Sequence, residues 1–313
     1  MIQIKHKDLA HLCNLHFEAI KNYFDNPRTK IVQTADYQAI DNWIKSYLGK
    51  DINFEKIIKA IPSELEDLKE KLDKLNKKLP KKNVKKIKDL YNTFAASSGN
   101  LTAQKEKYNG FILLEKLKIT VCPYCNRNFI YNTEKHRTSE LDHFFNKDTY
   151  PILALSFYNL VPSCKVCNKI KLANNQLVIN PYDNRVNFDA FVKFRLKIKE
   201  ADFYYKTKDF KILWNKENTP SNFKARVDNH IKLFQLESLY NHHKDWVLDI
   251  IQKNIIYNES YIDSLFQQFE GVLFKNREDV IRLLSSNYIN EEDLDKRPLA
   301  KLTRDISEDL GLL

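Results

Sequence analysis

The chain has 313 residues, of which 43% are hydrophobic, and a formal net charge of +10. That hydrophobic content supports a packed core and excludes wholesale disorder, while five glycines and nine prolines exclude a loop-rich or low-complexity chain. The positive balance favours a polyanionic partner such as nucleic acid, and a general bias toward Lys, Asn and Ile would produce the same excess.

The opening stretch MIQIKHKDLAHLCNL lacks the basic-then-apolar order of a signal segment. No run reaches the roughly 18 apolar residues that span a bilayer. The expectation is a soluble, cytoplasmic protein with no membrane partner. Leu9, Leu12, Phe17, Ile20 and Tyr23 keep roughly helical spacing, so the first sixty residues read as helical, with Cys13 as a small core residue. Leu65, Leu68, Leu72, Leu75 and Leu79 follow 3-4-3-4 spacing, the seam of a helix packed on another helix. Pro62 and Ser63 mark its start and Pro80 its end; Val84, Ile87, Tyr91 and Phe94 then resume the spacing. The pattern predicts a helical hairpin turning at about 79–83. Its turn and second arm carry Lys77, Lys78, Lys81, Lys82, Lys85, Lys86 and Lys88, read either as a solvated face or as a phosphate-contacting patch. Ser97, Ser98, Gly99 and Asn100 mark a break before another short helix.

The texture changes at residues 119–184, the candidate site module, which separates a helical region 1–118 from a region 185–313 of short strands and then helices. Residues 191–214 alternate apolar and polar side chains and predict two or three antiparallel strands. Helical spacing returns with Val227, Ile231, Phe234 and Leu239, and again over 246–256. His242 and His243 read as a solvated helix face, and His136 as an exposed turn residue.

Cys122-Pro123-Tyr124-Cys125 and Cys164-Lys165-Val166-Cys167 form two CxxC pairs separated by 38 residues. Two-residue spacing brings both thiolates of a pair to one ion, and two pairs complete a tetrahedral Zn²⁺ site. All four ligands are thiolates, so no position remains for water and the zinc is structural. Between the pairs lie Asp142-His143 and Asn159, and Asn168 follows Cys167. Phosphodiester hydrolysis needs a base, a divalent ion and stabilisation of the leaving oxygen. Asp142 offers a hard oxygen ligand beside His143 as base. On a strand the two point to opposite faces, and only a strand end or bulge lets both serve one site. Asn168 offers a second oxygen ligand at the start of a helix, which suits Mg²⁺ or Mn²⁺.

The order CPYC, LDHF, NLVPSC and CNKIK resembles the HNH family, the ββα-metal nucleases, over about one sixth of the chain. The resemblance implies an α+β fold: a ββα-metal core with structural zinc, flanked by mainly helical regions. It implies that His143 is the general base, that Asp142 and Asn168 bind the catalytic Mg²⁺ or Mn²⁺, and that Asn159 orients His143 and fixes the loop. Asn168 stands where the family name has a second His, a common variant. Ser163 is expected as helix N-cap; Lys171 is expected to pack by its stem and to reach toward a phosphate, with Glu140 a minor neighbour. MIQIK, the helical region, Ile179-Asn180-Pro181-Tyr182-Asp183 and the tail with Arg226-Val227 and Ile231-Lys232-Leu233 also resemble the HNH subunit of Septu-type anti-phage systems. The long Lys-rich hairpin departs from that pattern. This second resemblance implies an ABC/AAA-type ATPase partner, in keeping with the lack of a GxxxxGK[ST] sequence here. The expected function is a metal-dependent endonuclease, with DNA favoured over RNA. The alternatives are a catalytically silent zinc-stabilised adaptor and an RNA- or tRNA-cleaving effector.

Overall fold

The computed structural model describes residues 1–25, 30–133, 137–172, 174, 176–185, 187–311 and 313; His136 lies outside them. The fold is mixed, with many helices and three separate two-stranded antiparallel sheets among the described residues. No described helix is long and apolar enough to cross a membrane. The chain falls into two compact units, one of residues 4–119 and 130–175, the other of residues 1–3, 120–129 and 176–313.

The first unit begins with α1 (Leu9–Phe24), whose buried stripe includes Leu12, Cys13, Leu15, Ile20 and Phe24. Burial pushes the Cys13 thiol up to about 12, which marks it as an inert core residue. Helices α2 (Lys30–Tyr47) and α3 (Phe54–Lys59) follow, the latter capped by Asn53, whose side chain accepts from the Lys56 N–H. Helix α4 (Pro62–Asp73) starts where Pro62 predicts, with the Ile61 N–H donating to Glu64 at 3.0 Å. It ends six residues short of the predicted seam. Pro80 disfavours helical geometry at Leu79, and residues 74–80 form a connector. Leu79 is nevertheless buried there. Helix α5 (Lys81–Ala95) is the second arm and buries Ile87, Leu90, Tyr91 and Phe94.

After the expected break the chain forms a hairpin, β1 (Leu101–Ala103) with β2 (Glu106–Tyr108), before α6 (Gly110–Leu117). Its two-residue turn is Gln104-Lys105, both with positive φ, where Asn-Gly is the usual signal. Helix α1 supports it: Asn22 donates to the Thr102 carbonyl at 2.9 Å, and the Gln104 N–H donates to Glu18 at 2.7 Å. The unit closes with β3 (Ser139–His143), β4 (Leu160–Cys164) and α7 (Lys165–Leu172). β3 and β4 pair antiparallel from Ser139↔Cys164 to His143↔Leu160 without a bulge.

The second unit holds α8 (Phe188–Phe191), β5 (Lys193–Ile198) and β6 (Phe210–Asn215). These two antiparallel strands realise the predicted alternation: Phe194, Phe210 and Ile212 are buried. Helices α9 (Ser221–Leu233), α10 (Leu236–Tyr240), α11 (Lys244–Ile256), α12 (Glu259–Phe269), α13 (Arg277–Ser285) and α14 (Ala300–Asp309) complete it. Carboxylates of α14 take the free backbone of β5: the Phe194 N–H donates to Asp305 at 3.0 Å and the Leu196 N–H to Asp309 at 2.8 Å. That arrangement covers an edge that would otherwise pair with another strand.

Candidate functional site

The first cysteine pair sits in a tight turn. The Asn126 N–H donates to the Cys122 carbonyl at 2.7 Å, and the Cys122 N–H to the Asn128 carbonyl at 2.9 Å. Asn126 adopts the left-handed conformation, φ 50°, which asparagine tolerates better than most residues. Its buried side chain donates to the Leu294 carbonyl at 2.8 Å and accepts from the Lys301 N–H at 3.1 Å. Tyr240 donates its hydroxyl to the Cys125 carbonyl at 2.6 Å, and His230 Nε2 donates to the Tyr124 carbonyl at 2.9 Å. Tyr124 stacks on Phe234 with ring centroids 5.1 Å apart. Helices α9, α10 and α14 therefore hold this turn, a role that no spacing in the sequence announces. The two flanking segments noted in the sequence also meet here. The Ile2 N–H donates to the Pro123 carbonyl at 2.9 Å, and Gln3 donates to the Asp183 carbonyl at 2.7 Å. His243, expected as solvated, is half-buried and accepts from Arg127 Nε at 3.0 Å, so that reading is corrected.

The second pair follows directly from strand pairing. Cys164 is the last residue of β4 and Cys167 lies in the first turn of α7, whose N–H donates to the Cys164 sulfur at 3.5 Å. Ser163 is not the N-cap: it lies within β4 opposite Glu140, because pairing with β3 continues through Cys164. All four cysteines are buried, and their sulfurs lie within 4.8 Å of one another. An ideal tetrahedral site with Zn–S of about 2.3 Å separates sulfurs by about 3.8 Å. The four thiols can hold a zinc ion.

On β3, Glu140 and Asp142 share one face, and Asn168 and Lys171 lie one turn apart on α7. The side chains meet in two steps. Asn168 donates its amide to Glu140, and Lys171 Nζ lies 3.3 Å from Asp142. Lys171 also donates to the carbonyls of His143 at 3.0 Å and Phe144 at 2.6 Å. It is 7% exposed beside a fully buried Asp142 carboxylate, so it fixes the end of β3 rather than reaching outward to a phosphate. Burial lowers the Lys171 pKa and Asp142 counters part of that shift. Asn168 thus bonds to Glu140, a residue the sequence left in the background, and not to Asp142.

His143 points to the opposite face, as strand alternation requires. Its ring lies 4.5 Å from that of Tyr91, centroid to centroid, and Nε2 donates to the Ala154 carbonyl at 3.0 Å. A carbonyl only accepts, so the proton sits on Nε2 and the lone pair on Nδ1. Burial, helped by the Lys147 charge, pushes the His143 pKa down to about 3, so the ring is neutral at pH 7. Asn159 closes a short turn, Phe157–Asn159, just before β4. It accepts from the Phe145 N–H at 2.6 Å and donates to the carbonyls of Phe145 at 3.1 Å and Leu153 at 2.9 Å. His16 Nε2 donates to the next carbonyl, Leu155, at 2.9 Å. Three successive carbonyls, Leu153 to Leu155, at the end of the 3₁₀ turn Pro151–Leu153 and just beyond it, each receive one buried side-chain donor. Asn159 therefore touches the loop after β3 and the turn that leads into Ala154, whose carbonyl accepts from His143. Ala154 and His16 were not legible as parts of this arrangement, since a carbonyl partner leaves no signature in sequence.

Over 83 residues, 25% of the chain, the sequence is 36% identical to the Septu protein PtuB of Bacillus thuringiensis. The match spans 31% of that relative's own length. No family model and no solved structure matches.

Proposed function

We propose that this chain is a metal-dependent HNH-type endonuclease of an anti-phage defence system, cleaving nucleic acid, DNA in preference to RNA, with an ABC/AAA-type ATPase as partner. The observation that carries the reading is the hairpin β3–β4 running straight into α7, with His143 ending β3 and its ring fixed by the Ala154 carbonyl. The stretch of similarity to the Septu protein supports the defence role.

Asp142 and Asn168 are the proposed ligands of a catalytic Mg²⁺ or Mn²⁺. The donor types suit such an ion, because Asp142 is a carboxylate and Asn168, which spends its amide N–H on Glu140, keeps its oxygen for a ligand; an ion there would take the place of the Lys171 ammonium, 3.3 Å from Asp142. Such an ion supplies Lewis-acid polarisation of the phosphate and stabilises the leaving oxygen. His143 is the last residue of β3, and a strand end is where a base and a neighbouring ligand can serve one site; there Nδ1 of His143 would take the proton from the attacking water. A phosphate drawn close to the ring raises the proton affinity of His143 from its low resting value, so the base strengthens when substrate arrives. Asn159 and Lys171 hold the backbone on either side of this base by the bonds described above. In-line attack leaves 5′-phosphate and 3′-hydroxyl ends. The four cysteines take no part in the chemistry and hold structural zinc.

Purified protein is incubated with plasmid DNA and with total tRNA, in Mg²⁺, Mn²⁺ or EDTA, beside His143→Ala. The expected result is metal-dependent cleavage that falls by about 10²- to 10⁴-fold in the variant, the usual contribution of a general base. Cleavage that persists in His143→Ala would remove His143 from the mechanism. No cleavage of either substrate, with or without the ATPase and with zinc at one per chain, would make the protein a binding module.

A further inference from the structure

The loop that leaves the end of β3 forms one wall of a groove whose other wall is lysine-rich. A cavity of about 940 Å³ is lined on one side by the connector 74–80 and the start of α5, and on the other by residues 148–152. Lys77, Lys78, Lys81, Lys85 and Lys88 all line it. Lys88 is spent on Asp148, at 2.6 Å. Of the other lining carboxylates, Asp73 is paired with Lys69 and accepts from the Tyr150 hydroxyl at 2.6 Å, leaving Asp89. Lys77, Lys78, Lys81 and Lys85 are exposed and have no carboxylate partner among the described residues. Lys82 and Lys86, on another side of α5, are by contrast paired with Asp36 at 3.0 and 3.6 Å. The connector and the helix together therefore divide their lysines between neutralised positions, Lys82, Lys86 and Lys88, and four charges facing one groove, Lys77 and Lys78 from the connector and Lys81 and Lys85 from α5.

We infer that this groove takes the phosphate backbone of duplex DNA, with Lys77, Lys78, Lys81 and Lys85 as the contacts, and leads it to the loop that follows His143. The inference rests on the nuclease reading and adds a substrate path outside the β3–β4–α7 segment. Four unpaired ammonium groups along a connector and one helical face match the repeating charge of a backbone, which carries no sequence information. The rings lining the groove are not free stacking platforms. Trp43 is buried, and Tyr150 is engaged with Asp73 by its hydroxyl and with Phe145 edge-to-face. Binding of unpaired strands relies on open rings on which bases stack, so the chemistry here favours a duplex.

The test is equilibrium binding of the full chain to a short DNA duplex in EDTA, by fluorescence anisotropy, between about 50 and 200 mM salt. The variants are Lys77→Glu/Lys78→Glu/Lys81→Glu/Lys85→Glu and its milder Lys→Gln counterpart, beside His143→Ala. Each phosphate contact adds about 0.9 to the slope of log affinity against log salt, so both lysine variants should lose about 3 to 4 of that slope. Affinity should fall more than tenfold, while His143→Ala keeps the slope of the unmodified protein. An unchanged slope in the Lys→Gln variant overturns the groove even if the unmodified protein cleaves DNA. A lost slope in a protein that cleaves nothing keeps the groove and removes the nuclease. A slope lost for single-stranded RNA and kept for the duplex overturns the assignment to DNA.

Discussion

Two antiparallel hairpins of nearly equal length are built on opposite plans. β5–β6 alternates, with one face on a core of Phe194, Phe210 and Ile212 and the other toward solvent. β3–β4 has no solvent face: every residue of β4 is buried, and on β3 only Glu140 is partly exposed. The first arrangement is held by apolar burial and by the carboxylates of α14 along its edge. The second buries Asp142 and His143 beside Lys171 and Asn159, and depends on satisfying those polar groups. A hairpin that buries charge on one face and a histidine on the other is costly as architecture, which is why it is the place to seek chemistry.

The largest expected effect comes from the cysteine at the end of β4. Cys164→Ser removes one of four thiols in a site whose metal contributes directly to folding. The zinc content should drop below one per chain and melting should come at least ~10 °C lower, with unfolding reported first at β3–β4–α7. Hydrogen exchange resolved by peptide checks it: simultaneous loss of protection in β5–β6 would show that the hairpins do not differ in their dependence on metal. A zinc-replete, active and fully stable Cys164→Ser protein would remove Cys164 from the metal site.

Asn159→Ala attacks the polar plan alone. It leaves the Phe145 N–H and the Phe145 and Leu153 carbonyls without their side-chain partner, at a cost of about 3 kcal/mol in a buried site. Urea unfolding measures the loss. Cleavage should fall as well in native conditions, because the turn carrying the Ala154 carbonyl loses its anchor. Full activity with the expected destabilisation would show that Asn159 fixes the loop but does not position His143.

The difference between the hairpins also explains what could be read in advance. Alternation over 191–214 located β5–β6 because apolar burial on one face writes a period of two into the sequence. β3–β4 has no such period, and was found through Cys122, Cys125, Asp142, His143, Asn159, Cys164, Cys167 and Asn168 as chemical types in order. What escaped was what depends on backbone partners or on conformation. The Leu153–Leu155 carbonyls, the hold of α14 on Asn126, and the Gln104-Lys105 turn all lack a residue signature. The seam of α4 was overextended because Leu79 remains buried after the helix has ended, so burial outlasted helicity.

Acid should reach the polar hairpin through His16. Its ring is fully buried, donates to Leu155, and accepts from the Tyr108 hydroxyl at 3.3 Å. Burial holds its pKa at about 4, below the 6.5 of an unfolded chain. Between those values the unfolded state binds the proton and the folded state does not. The stability linked to His16 is therefore complete above pH 6.5 and is lost as pH falls toward 4, by about 2 kcal/mol at pH 5. His16→Gln, which can still donate to Leu155, should show a pH 7 to pH 5 loss smaller by that amount. Identical pH slopes for the two proteins would mean that the ring is reached by water in the folded state.

The smallest effect belongs to the open face of the other hairpin. Ile198 ends β5 and is 51% exposed. Ile198→Thr keeps the β-branch that suits a strand and removes little buried area, so stability should change by no more than about 0.5 kcal/mol. The same change at a residue of β4, Val161→Thr, places an unmatched hydroxyl in a fully buried position and should cost at least about 1 kcal/mol more. A cost at Ile198 as large as at Val161 would mean that the outer face of β5–β6 is covered in solution by another molecule, and the two hairpins would then differ in what buries them rather than in whether they are buried.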